Sequence, residues 1–192
     1  GVDGAPINPG FNGDSDPHPG NWARLTDPTW AYTPYVPKGE ERVKVPAWLN
    51  DPVYYHNRGD TNWVGESAVY GDFVGLDDLA TQHPRVIAGM IEIYSGWIER
   101  FGIDGFRIDT AKHVNPEFWR AFVPAMLDVA RRKGIPNFHI FGEVATGDVD
   151  PALLARWTRI ADLPSNLDMA FAAAAQRVVS GKAGTDVLAR LF

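Results

Sequence analysis

Gly105-Phe-Arg-Ile-Asp-Thr-Ala-Lys-His113, followed one structural unit later by Phe141-Gly-Glu-Val144, places a carboxylate at each of two expected strand ends. Arg107 and Asp109 are two residues apart, so on a strand of period two they point to the same side, and a fixed cation stands beside a carboxylate. At 4 Å and an effective dielectric near 20 such a pair is worth about 4 kcal/mol, enough to hold Asp109 ionised. Glu143 has no cation in its adjacent sequence and sits among Phe138, Ile140, Phe141 and Val144, where partial desolvation favours the protonated form. One ionised and one protonated carboxyl group are the two partners that glycoside hydrolysis requires.

The pattern around these segments predicts a parallel sheet. Pro84 to Phe101 carries Ile87, Met90, Ile91, Tyr94, Trp97, Ile98 and Phe101 at helical spacing, with Pro84 suited to the first turn and Gly102 to the C-cap. Ile103 to Asp109 reads as a short strand. Asn115 caps a second helix that runs to about Lys133 and is ended by Gly134, with a kink expected at Pro124. Phe138 to Glu143 is the next strand, Asp150-Pro151 starts a helix to about Ala161, Leu167 to Phe171 is a third strand, and Ala172 onward is helical again. Alternation of this kind implies parallel strands joined by right-handed crossovers. Asp109 and Glu143 are 34 residues apart, about one strand-plus-helix repeat, which puts both at the same sheet edge. In a (β/α)8 barrel, catalysis occurs at that edge. Such a barrel needs roughly 250 residues, so about three strand and helix units make this a partial (β/α)8 barrel.

Residues 1–75 differ in kind: they are dense in Gly, Pro, Asn, Asp and aromatics with no sustained helical period, and read as a loop-rich lobe. Residues 76–192 carry the regular alternation. The whole chain of 192 residues is 45% hydrophobic and 22% charged, which gives it the means to build a core and excludes a disordered chain. A net charge of −6 without a long basic run argues against nucleic acid and fits a neutral, hydroxyl-rich partner. With no cysteine, neither disulfides nor thiolate chemistry contribute, and the compartment stays open. No apolar run approaches the roughly 20 residues of a membrane span. The residues from Gly1 onward show no basic-plus-apolar signal pattern, and a start without methionine leads us to expect a processed product or an excised piece.

At Gly105 to His113 and Phe141 to Val144 the sequence resembles the α-amylase family of glycoside hydrolases, family 13. The resemblance implies a nucleophile at Asp109 after barrel strand four, with Arg107 as its companion, and a general acid/base at Glu143 after strand five. It further implies that Lys112 and His113 line sugar subsites on the leaving-group side. Leu76-Asp77-Asp78-Leu79-Ala80 is similar to a motif near the end of the family's inserted domain B, which implies calcium bound by Asp78 and by the backbone carbonyl of His113. Residues 1–75 then stand for domain B, and residues 76–192 for the catalytic barrel from helix three to unit six. The implied substrate is an α-glucan oligo- or polysaccharide, and a periplasmic or extracellular location is slightly favoured. The oligomeric state is left open.

Two family segments are missing: an Asp-x-x-x-Asn-His after an earlier strand, and an Asn-His-Asp that carries a third catalytic carboxylate. Both would fall beyond the chain's ends, so the expectation is a fragment that is inactive in isolation. Plainer readings stand beside the chemical ones. Arg107 and Asp109 could form a structural ion pair, Glu143 could be a solvated strand-end carboxylate, and Lys112 and His113 could be surface residues. Asp78 could be a turn aspartate, since Asp77 competes with it and Thr81 can cap the next helix. Trp22, Trp30, Trp48, Tyr54, Tyr55 and Trp63 are expected mostly to pack the lobe rather than stack on sugars. The alternatives for function are a non-catalytic relative retaining the fold for binding or assembly, or a transglycosylase or α-glucosidase of the family. Loss of either carboxylate would mark the non-catalytic relative, and both are present. A phosphate-binding barrel gains no support, because it needs a glycine-rich loop late in the barrel and that region is not in this sequence.

Overall fold

The computed structural model describes residues 36–56, 60–63, 65, 67–74, 76–145 and 151–191. The chain divides into two compact units, Gly1–Val86 and Ile87–Phe192. Trp22, Trp30, Gly75 and Asp150 lie outside the described residues.

Among the described residues of the first unit the density of Pro, Gly and Asp leaves little regular structure. Two 3₁₀ turns, Ala47–Asn50 and Pro52–Tyr54, precede a one-turn helix α1, Ser67–Tyr70. Isolated bridges Tyr55↔Leu79, Asp60↔Asp72 and Phe73↔Leu76 take the place of a sheet. Several of its described aromatics pack on one another. Trp48 meets Tyr54 edge to face at 5.8 Å, Tyr54 meets His83 at 5.2 Å and Trp63 meets Phe73 at 4.8 Å. The Arg85 guanidinium covers the Trp48 ring at 4.8 Å.

Asp72 is only 2% exposed, and its Oδ1 accepts the Asp78 amide at 2.9 Å. Burial pushes its carboxyl from 3.8 up to about 6; the Asp78 amide opposes this, while the charges of Asp77, Asp78 and Asp60 add to it. With the folded value raised, its stabilising contribution is present below about pH 4 and is lost as pH rises through 6. Asp72→Asn keeps an oxygen for the Asp78 amide but cannot ionise. The variant is expected to resist unfolding better than the parent above pH 6 and to match it near pH 4. Hydrogen exchange of the Asp78 amide against pH reads this directly, and parallel profiles for the two proteins would contradict it.

The second unit keeps the expected alternation. Helix α2, Pro84–Phe101, ends where Gly102, at φ 60°, donates its amide to the Ile98 carbonyl. Strand β1, Gly105–Ile108, is shorter than the apolar run. Helix α3, Pro116–Lys133, starts at Asn115, whose backbone carbonyl receives the Phe118 amide, and ends at Gly134 with φ 81°. It runs unbroken through Pro124, which is exposed. Strand β2, His139–Gly142, and helix α4, Pro151–Ile160, complete the repeat.

The expected third strand is reduced to one parallel bridge, Gly142↔Asn166. Met169 to Phe171 instead open helix α5, Met169–Val179, because the Asp168 side chain accepts the Phe171 amide at 2.8 Å and so caps a helix there. A last turn, α6, spans Asp186–Ala189.

β1 and β2 pair in parallel with the register Gly105↔His139, Phe106↔Ile140, Arg107↔Phe141 and Ile108↔Gly142. Their covering layer is α3, which buries Phe118, Trp119, Phe122, Val123 and Met126 with Ile98 and Ile140 in one core. Tyr94, Phe106, Phe122 and Phe138 interlock edge to face or tilted with ring centroids 5.3 to 6.2 Å apart. Trp97 and Phe101, placed by periodicity on the core side of α2, lie at 49% and 66% exposure and pack mainly on each other. Among the described residues no helix is long and apolar enough to cross a membrane.

Candidate active site

The register offset between β1 and β2 is 34 at every pair, the same as the spacing of Asp109 and Glu143. Each carboxylate is therefore the first residue past its strand, on neighbouring strands and at one end. The ladder continues into the site: Glu143 donates its amide to the Ile108 carbonyl at 2.7 Å, and Ala111 donates to the Glu143 carbonyl at 3.0 Å. Both motif glycines have a steric cause. A Cβ on Gly105 would lie 2.2 Å from the His139 carbonyl oxygen, and one on Gly142 would lie 2.9 Å from the Ala111 Cβ.

Arg107 stands between the two acids. Its Nη1 meets Asp109 Oδ1 at 2.6 Å and its Nη2 meets Glu143 Oε2 at 3.0 Å. Glu143, with no cation in its adjacent sequence, gains one in the fold, since parallel pairing supplies from β1 the arginine that its own neighbours in sequence do not. The Asp109 side chain is 67% exposed against 23% for Glu143, so solvent screening takes the Arg107–Asp109 pair far below the 4 kcal/mol of the idealised case, to about 1 kcal/mol or less. Arg107 is therefore chiefly an orienting fork. Its two bonds and the width of one guanidinium bring the nearest oxygens of the two carboxyl groups within about 8 Å.

Between the acids the chain turns sharply. Thr110 adopts φ 49° and ψ 34°, a left-handed conformation unfavourable for a β-branched residue, and its amide approaches Glu143 Oε2 at 3.5 Å. A 3₁₀ turn, Ala111–His113, comes next. Ala111 is fully buried and its carbonyl accepts the Trp119 indole N–H at 3.1 Å. Lys112 Nζ donates to the Ala145 carbonyl at 2.7 Å, and the His113 amide donates to the Thr110 carbonyl at 2.9 Å. Nothing in the local sequence signals the Lys112 contact, which spans 33 residues.

Asp78 belongs to the first unit and His113 to the second. Asp78 Oδ2 lies 2.5 Å from His56 Nδ1, and His56 Nε2 lies 2.8 Å from Gln82 Oε1. Among the described residues no three His, Asp or Glu side chains are grouped to hold a metal. The Asp78 carboxylate is thus engaged by an imidazole, an arrangement that does not fit a calcium ligand as it stands.

Residues 26–188 match the family model for the alpha amylase catalytic domain. The alpha-amylase of Streptomyces lividans is 47% identical over 169 residues, covering 88% of this chain and 18% of that protein. Two solved structures are also similar. An Anoxybacillus alpha-amylase shares 31% identity at a TM-score of 0.59, over 69% of this chain and 29% of that one. The alpha-amylase of Geobacillus thermoleovorans, solved with acarbose, shares 28% identity at a TM-score of 0.58, over 68% of this chain and 28% of that one. The chain thus spans less than a third of the length of each of these relatives.

Proposed function

Because the chain belongs to the alpha amylase catalytic-domain family, we propose that it supplies the nucleophile and the acid/base of a retaining α-glucan hydrolase. The observation that carries this reading is the pair Asp109 and Glu143, placed after adjacent parallel strands and joined by Arg107. Asp109 attacks the anomeric carbon while Glu143 gives its proton to the departing glycosidic oxygen; Glu143 then takes a proton from water as that water releases the sugar. Two displacements at one carbon retain the α-configuration. The carboxyl separation this requires, about 5 to 5.5 Å, falls inside the bound set by Arg107. In this reading β1, α3, β2 and α4 are units of a (β/α)8 barrel, and the first unit belongs to an inserted domain B.

The complete gene product is expected to hydrolyse soluble α-glucan and to release the α-anomer first, as followed by proton NMR. First release of the β-anomer would overturn the mechanism. Arg107→Lys leaves a point charge that reaches one carboxylate but not both. We expect kcat to fall about 10- to 100-fold with little change in unfolding midpoint, because the lost bonds are half exposed. A parent-like kcat would reduce Arg107 to a surface ion pair.

Calcium enters this reading through family resemblance alone, by way of Asp78 and the His113 carbonyl, and no step of the reaction depends on it. It would require Asp78 to leave His56. Calorimetry should then show calcium binding that Asp78→Asn weakens; binding unaffected by that change removes the role.

A further inference from the structure

Two bonds bracket Glu143, and both come from the turn just after Asp109. The Ala111 amide holds the Glu143 carbonyl at 3.0 Å, and the Lys112 ammonium holds the Ala145 carbonyl, two residues further on, at 2.7 Å. Between these anchors Val144 is 1% exposed and fixed in the core. The strained turn at Thr110 starts the short 3₁₀ segment from which both donors reach across. The first anchor is backbone to backbone and continues the sheet. The second depends on a single side chain, with a charged donor spanning from one loop to the next.

We propose that Lys112 is a positioning residue that ties the loop after Glu143 to the turn after Asp109, and so sets the reach of the Glu143 carboxyl to the leaving oxygen. The inference rests on the assignment of Glu143 as acid/base. Glu143 is the first residue past β2, and the ladder holds its amide and carbonyl but leaves its side chain to be aimed by its neighbours. Arg107 Nη2 and the Thr110 amide both approach Oε2 from β1 and its turn. Those groups pull the carboxyl towards Asp109. The Lys112 bond holds the backbone at Ala145, two residues past Glu143, and so limits where the carboxyl can rest. A loss of about an ångström in this placement weakens proton transfer without removing the proton.

The role predicts a dependence on leaving-group basicity, which neither a sugar-binding nor a folding role would produce. The complete gene product is assayed on aryl α-maltosides whose rings are alike in size but differ in phenol acidity. Lys112→Met keeps the stem and removes the donor. Its kcat/KM, which reports departure of the phenol and not the later release of the sugar, should fall about 10-fold or more on the least acidic phenol and less than about threefold on the most acidic, which departs without protonation. Lys112→Arg should recover most of the loss, since its guanidinium also donates to a carbonyl. If the methionine variant does not fold, Lys112→Gln carries the same expectation. Equal losses in kcat/KM across the series would overturn the proposal. Glu143→Gln is run alongside. Should it show no leaving-group dependence, the acid/base assignment itself fails, separately from the role of Lys112.

Discussion

Asp109→Asn is expected to lower kcat of the complete gene product on soluble α-glucan by at least about 10⁴-fold, with almost no change in its unfolding midpoint. An amide oxygen has neither the charge nor the basicity to form the glycosyl ester, so the covalent step is lost rather than slowed. The side chain is 67% exposed and among the described residues pairs with Arg107, so the fold loses about 1 kcal/mol or less. This combination separates a nucleophile from a structural ion pair, for which asparagine would leave turnover near that of the parent. Paired assays of turnover and thermal unfolding decide between them. Substantial residual turnover in a folded variant would assign the attack elsewhere.

Glu143→Gln should lower kcat/KM by about 10²- to 10⁴-fold on natural linkages, the range over which a positioned proton donor acts. The loss should be smallest for substrates whose leaving group departs as a stable anion. Glutamine preserves the shape and keeps an oxygen for Arg107, while the amide and carbonyl of residue 143 remain in the ladder with Ile108 and Ala111. Folding should therefore be little altered. A uniform loss across all leaving groups would indicate a binding or structural carboxylate instead of an acid.

Much of this arrangement is legible in the sequence because it rests on local rules. The apolar period from Ile87 to Phe101 and the flanking Pro84 and Gly102 define α2, and Asn115 with Gly134 bounds α3. The spacing of Asp109 and Glu143 equals the strand register, so their side-by-side placement is readable as well. What is not readable depends on pairing across the fold. The Arg107–Glu143 contact exists only once β1 and β2 are in register, and the Lys112–Ala145 contact only once the turn at Thr110 is made. The strand expected at Leu167 to Phe171 shows local chemistry overriding an apolar pattern, since the Asp168 cap commits the next residues to helix. Asp72 gives no sequence signal, because its importance comes from burial and from the Asp78 amide that the loop brings to it.

The most direct test of the mechanism is to trap its covalent intermediate. Incubating the complete gene product with a fluorosugar that glycosylates retaining α-glycosidases but turns over slowly, and then digesting it for peptide mass spectrometry, identifies the attacked residue. The expected result is one added sugar on the peptide carrying Asp109, absent from Asp109→Asn and competed away by α-glucan. A label on another carboxylate would contradict the assignment of Asp109 as nucleophile, as would inactivation without a covalent adduct.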